Sequence, residues 1–453
     1  MLCPERSTVT NLICTTGGQQ QDWSAHYRLY SRDRVDEASL FASVREALMG
    51  DLPPEQPLVV AMDDTLVRKR GTRIAGVGWK RDPLGPAFQT NLVRGQRHLQ
   101  FSAAWPLEQG SARMVPIGWF HAPSAAKPPK DAGAKQQEEH KEQQKQMCLN
   151  TRALKQMRHL RDSCPASRQI IYSGDGSYTN AAVLRGLPKG SAYLGRMRKD
   201  AVLHKLPQDK PKGSNGRRPS YGPLAPTPEQ LRQDESVPWQ QVEAFAAGRR
   251  HSFRIKTLGP VLWRKAGAAL PVRVVVIAPL AYRLRKGSRM LYRQPAFLLC
   301  TQPELPIEEL LQYYLWRWGI EVNFREEKTL IGTGQAQVRG EASNQHLPAM
   351  TVAAYAMLWT AALQLHKRHG PDQEPMAALQ PPRWRARRCP DNNAAELPST
   401  GDLLRRLRYE TWAGALRPGS LYHFVTQARP RKTCQKPPTT PVASLPGVLF
   451  AAA

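Results

Sequence analysis

Tyr314, Arg317, Glu321 and Lys328 are separated by three, four and seven residues. At about 100° per residue they fall within a stripe roughly 60° wide on an α-helix, so one helix face would offer an acid, two cations and a phenol. A solvated face with an Arg317–Glu321 pair has the same spacing and contributes only a few tenths of a kcal/mol. The stripe gains meaning from acids elsewhere in the chain. Phosphodiester cleavage by two divalent ions needs one carboxylate that bridges both metals and others that hold each from outside. Asp63 and Asp64 close the apolar run LVVAMDDT (58–65), and Asp175 follows a strand candidate at Gln169 to Ser173. One aspartate at a strand end is usually a turn former or a helix cap. Three acids on separate elements are enough for a metal site.

The elements that must position them are legible as hydrophobic patterns. Residues 22–50 carry apolar side chains at helical spacing, and Pro53, Pro54 and Pro57 end that segment. LVVAMDDT, HLQFSAAWP and RMVPIGWF then look like a three-strand meander. The composition from Ala122 to Lys135 reads as a linker. A helix is predicted over 136–161, with an apolar face at Met147, Leu149, Leu154, Met157 and Leu160, and a further strand over Ala192 to Arg196. HSFRIKTL, LPVRVVVIAPL and RMLYRQPAFLLCT alternate like antiparallel strands, so 200–302 is expected to be β-rich. Helices are predicted from Pro306 to about Leu330 and over Leu347 to Lys367. Gly332 and Gly334 read as a helix stop, and the Pro- and Arg-rich remainder as mostly irregular.

The chain has 65 Lys and Arg against 37 Asp and Glu, a formal charge of +28. This surplus favours a polyanion, with nucleic acid the default partner. Cations cluster between Arg196 and Arg218 and again at Arg283, Arg285, Lys286, Arg289 and Arg293. Either group would suit a DNA channel or an ordinary solvated surface. Seven cysteines without a CxxC pair indicate neither a disulfide framework nor a zinc site, which fits a reducing cytoplasm. No secretory signal is expected from MLCPERSTVTNLICTTGG. The apolar stretch 349–365 reads as a buried helix, short of a membrane span. HExxH, GxSxG and P-loop patterns are absent, so protease, esterase and NTPase readings have no support.

YLWRWGIEVNFREEK (314–328) resembles the Y-x2-R-x3-E-x6-K signature of the bacterial insertion-sequence transposases of the YREK group. AMDDTLVRKRG is similar to that group's first acidic strand, and IYSGDGSY to its second, where Asp is followed by a small residue and then an aromatic. The resemblance spans roughly residues 8 to 365. It implies an α/β fold: an RNase H-like mixed sheet with flanking helices, interrupted by a β-rich insertion. The domains expected are a helical N-terminal DNA-binding segment (1–56), the two parts of the core (57–199 and 303–368), the insertion (200–302) and a basic Pro-rich tail (369–453). It also implies Asp63 or Asp64, Asp175 and Glu321 as catalytic acids on two Mg²⁺ ions, with Mn²⁺ as a substitute. Tyr314, Arg317 and Lys328 would hold phosphates. The family's Asp with Thr or Ser two residues later selects Asp63 with Thr65, which strand alternation puts on one face, with Asp64 on the other. Phe297 stands where relatives place a base-stacking aromatic, typically Trp, and Trp263 is a second stacking candidate. Core packing is the simpler reading of both.

The function so implied is cut-and-paste transposition in a bacterial cytoplasm, at the nucleoid. A homodimer would act on terminal inverted repeats and target DNA, with no membrane partner. The alternatives are a catalytically inactive, transposase-derived DNA-binding protein and a structure-selective nuclease.

Overall fold

The computed structural model describes residues 1–3, 6–16, 18–32, 34–82, 85, 89–208, 219–284, 287–369 and 397–415. The helices in chain order are α1 (Val9–Thr15), α2 (Ser24–Ser31), α3 (Glu37–Leu40), α4 (Ala42–Asp51), α5 (Ala134–Met147), α6 (Leu149–Asp162), α7 (Ala181–Arg185), α8 (Pro228–Gln233), α9 (Ile307–Trp316), α10 (Gly319–Glu326), α11 (Glu341–His369) and α12 (Thr400–Ala415). The strands are β1 (Leu58–Arg68), β2 (Gly78–Arg81), β3 (Leu92–Pro106), β4 (Ala112–His121), β5 (Ile170–Gly174), β6 (Ser191–Arg196), β7 (Leu203–His204), β8 (Leu224–Ala225), β9 (Gln240–Ala246), β10 (Arg249–Trp263), β11 (Pro271–Ile277), β12 (Ala281–Tyr282), β13 (Leu291–Tyr292) and β14 (Ala296–Cys300). They form two compact units: residues 45–324, and residues 1–44 together with 325–453.

The unit of residues 45–324 is built on one mixed sheet. β1 opens on the apolar run Leu58–Met62 and β5 on Ile170–Tyr172 because both faces of these parallel neighbours are covered, and the first five residues of each are all buried. β5 pairs in parallel with β6, while β1, β3 and β4 form the expected antiparallel meander. The central order is therefore β4-β3-β1-β5-β6, the RNase H-like arrangement. β14 joins β6 antiparallel, and β11, β10, β7 and β8 follow in turn, with β9 on the far part of β10. The β-rich segment thus extends the central sheet. Among the described residues, only the β12–β13 ribbon stands apart from it.

Several predicted helices are shorter than their patterns. The segment 22–50 breaks into α2, α3 and α4, and the helix expected over 136–161 is interrupted at Cys148, whose extended backbone separates α5 from α6. Apolar spacing survives such breaks, which is why the pattern reads through them. In the segment expected to be mostly irregular, α12 is a helix, and the rest of 370–453 outside 397–415 lies beyond the described residues.

In the other unit, α11 is long and apolar enough to cross a membrane, yet 61% of its apolar window is buried within the protein. Val9, Ile13, Ala336 and Leu347 form a small core with Trp23 and Tyr30 against it. α12 is tied down by polar contacts: Glu326 accepts from Tyr355 Oη (2.7 Å) and from Thr400 Oγ1 (2.6 Å), and Trp359 Nε1 donates to Thr400 Oγ1 (3.2 Å). Arg408 donates to the carbonyls of Met1 and Cys3. Thr400→Val, which keeps the shape and removes the hydroxyl that joins Trp359 to Glu326, is expected to cost about 1–3 kcal/mol. Urea unfolding measures it, and an unchanged midpoint would show that the clamp contributes nothing.

Candidate active site

The acids gather because two parallel strands part at their carboxyl ends. β1 pairs with β5 only as far as Ala61–Ser173, although it continues beside β3 to Arg68. Asp63 and Asp64 are therefore mid-strand, where a strand end was expected. They lie just past the point at which β1 loses its parallel neighbour. Asp175 is the first residue beyond β5. This is the crevice at the carboxyl rim where α/β sheets bind ligands.

Alternation separates the paired aspartates. Asp63 stands opposite Gln100, and Thr65 opposite His98, on one face. Asp63 Oδ1 accepts the Asp64 N–H (2.8 Å), and Oδ2 lies 3.8 Å from Arg317 Nη1. Asp64, on the other face, accepts from Tyr178 Oη (3.1 Å) and sits 3.3 Å from Arg97 Nε. Asp175 accepts from both the backbone N–H and the hydroxyl of Ser177, at 2.8 and 2.6 Å, a local turn that fixes its carboxylate. Neither Arg97 nor Tyr178 was singled out from sequence. Tyr178 is nevertheless the aromatic of GDGSY, so its signal was present in the motif without its target.

The electrostatics set Asp63 apart. Burial first, and the charge of Asp175 second, push its carboxyl up to about 7 against the opposing pull of Arg317. Asp64 is also raised by burial, but Arg97 and the Tyr178 hydrogen bond counter the shift. Asp63 thus lies in the field of a second oxygen donor of like charge, Asp175. This donor chemistry fits a hard divalent cation, which would relieve the repulsion. Among the described residues, no three His, Cys, Asp or Glu side chains are drawn together closely enough to hold a metal, and Glu321 pairs with Arg317 (3.2 Å).

The four-residue stripe does not lie on one helix. Tyr314 is on α9, Arg317 falls in a tight break, Glu321 is on α10, and Lys328 lies on a π-helical turn (Glu327–Ile331) in the other unit. Residues 317, 318, 320 and 321 donate to carbonyls three residues back, which tightens the chain at the break. Gly319 permits it: a Cβ there would come within 2.4 Å of Met114 Cγ, so only glycine lets α10 start against β4. Arg317 is buried, bridges Asp63 and Glu321, and lies over the Tyr314 ring at 5.9 Å. Gly332, with φ +84°, ends the π turn as the expected stop.

Phe297 and Trp263 are buried in the sheet, so neither offers a ring for a base to stack on. Of the basic groups, Arg198 pairs with Asp200 at 2.8 Å and Arg293 lies over Tyr282 at 5.4 Å. Lys210, Lys212, Arg217, Arg218, Arg285 and Lys286 lie outside the described residues.

The fold is thus a mixed sheet of RNase H-like order with Asp63 and Asp175 at its parallel rim. The chain belongs to the DDE superfamily endonucleases, whose family model matches residues 1–268. That match takes in Asp63 and Asp175 and ends before Glu321. No curated protein gives a match.

Proposed function

We propose that this chain is an insertion-sequence transposase of the YREK group, cutting DNA at the element's terminal inverted repeats and joining the freed ends to target DNA. The observation that supports it most is the placing of Asp63 and Asp175 at the rim where β1 and β5 part, with Arg317 between Asp63 and Glu321. Asp63, Asp175 and Glu321 would hold Mg²⁺ or Mn²⁺, which supplies Lewis-acid activation of the nucleophile and charge neutralisation at phosphorus. Water would attack phosphorus in line and the 3′-oxygen leave. The 3′-hydroxyl so formed would then attack a target phosphodiester, displacing the target's own 3′-oxygen. Arg317 is both a lock and a ligand in this reading: it neutralises Asp63 and Glu321 before DNA arrives and turns to a phosphate oxygen afterwards. Tyr314 would help hold the backbone, a contact that aligns the strand without reading bases. The enzyme would act as a homodimer on paired ends in the bacterial cytoplasm.

The test uses the purified full-length chain, Mg²⁺, and duplexes carrying the inverted repeats that flank its reading frame. Nicking at the repeats, followed by joining to a plasmid, is expected, and Glu321→Gln should abolish both. DNA binding without Mg²⁺-dependent nicking would instead identify a catalytically inactive DNA-binding relative. Cleavage indifferent to the terminal sequence would identify a general nuclease.

A further inference from the structure

Behind Asp63 the sheet carries an unusual buried polar row. Gln96, His98, Gln100 and Ser102 alternate along β3 on the face that Asp63 shares, and all four are fully buried. A polar row costs free energy in a core unless it is hydrogen-bonded. Part of the compensation comes from α10. Asn323, itself fully buried, donates through Nδ2 to Ser102 Oγ (3.2 Å), and its Oδ1 accepts from Arg113 Nη2 on β4 (3.3 Å). Ser102 Oγ also accepts from Gln100 Nε2 at 3.0 Å, and Gln100 is the register partner of Asp63.

α10 also sets apolar groups on the sheet, Gly319 against Met114 and Phe324 edge-on to Trp119 with ring centroids 6.5 Å apart, and its Ile320 is fully buried. Apolar packing is non-directional and tolerates rotation of a short helix. An amide held on both its oxygen and its nitrogen does not. Glu321 is two residues from Asn323, about 200° round the helix, so a rotation that frees Asn323 carries Glu321 away from the rim.

We infer that Asn323 is a positioning residue, setting the rotation of α10 on β3 and β4 and thereby the direction of Glu321 toward Arg317, which links it to Asp63. The inference rests on Glu321 being a site acid. In Mg²⁺-dependent nicking of a supercoiled plasmid by the full chain, Asn323→Leu is expected to lower kcat at least tenfold, with KM for DNA within twofold. Asn323→Asp keeps an oxygen for Arg113 and can accept from the Ser102 hydroxyl, so it should recover to within threefold of wild type. A wild-type rate for Asn323→Leu, or an equal loss in the Leu and Asp variants, would overturn the inference. Should Asn323→Leu not fold, Ser102→Ala is read instead: a tenfold loss of kcat supports the inference and a wild-type rate overturns it. Glu321→Gln separates the two levels. If it nicks normally, the assignment of Glu321 fails and the inference with it; if it is inactive while Asn323→Leu is normal, only the inference fails.

Discussion

Asp63→Asn is expected to lower DNA nicking by about a thousandfold or more, roughly 4 kcal/mol in the activation barrier, whereas Asp64→Asn should stay within about tenfold of wild type. The side chains are adjacent and isosteric with their replacements, so the contrast isolates the direction of the carboxylate. Asp63 faces Arg317 and shares a field with Asp175, while the oxygens of Asp64 are engaged by Tyr178 and Arg97 on the other side of the strand. An amide cannot supply the charge that holds and neutralises a divalent ion. Plasmid nicking in Mg²⁺ measures both variants. Equal losses would mean that either acid serves, and a larger loss for Asp64→Asn would reassign the first acid.

The same replacement should stabilise the fold at neutral pH. With its carboxyl raised from 3.8 to about 7, Asp63 binds a proton more tightly in the folded chain than in the unfolded one. The folded state is thus favoured most below pH 4 and loses that advantage as pH climbs from about 4 to about 7, by up to about 4 kcal/mol. In urea unfolding, the stability of Asp63→Asn relative to wild type should therefore grow through this interval and level off above it. Mg²⁺ at pH 8 should narrow the gap by binding the ionised pair in the folded wild type. A difference independent of pH would remove the case for a strained Asp63–Asp175 pair.

The sequence alone was enough for β1, β3, β4, β5 and β6, because a strand buried on one or both faces must write its burial into apolar residues. It also named the residues linked through Arg317, since Asp63 (with Asp64 as its alternative), Tyr314 and Glu321 were legible from type, spacing and order, as was Asp175. The helix breaks were not legible. The angular stripe from Tyr314 to Lys328 assumes a uniform 100° per residue, and the tight turns at Arg317 and Trp318 followed by the π turn at Glu327 end that assumption. Gly319 was the available signal, but its need arises from Met114 on a strand some two hundred residues earlier.

What the linear chain determines here is the order of acids and strands, since periodicity and composition are local properties. Which face of β1 meets the rim, how Arg317 links Asp63 to Glu321, and what holds α10 in its rotation are decided only by tertiary structure. Each depends on partners far apart in sequence, Gln100 with Asp63 and Ser102 with Asn323, and on a hydrogen bond or ion pair that forms only when burial makes an unpaired polar group costly.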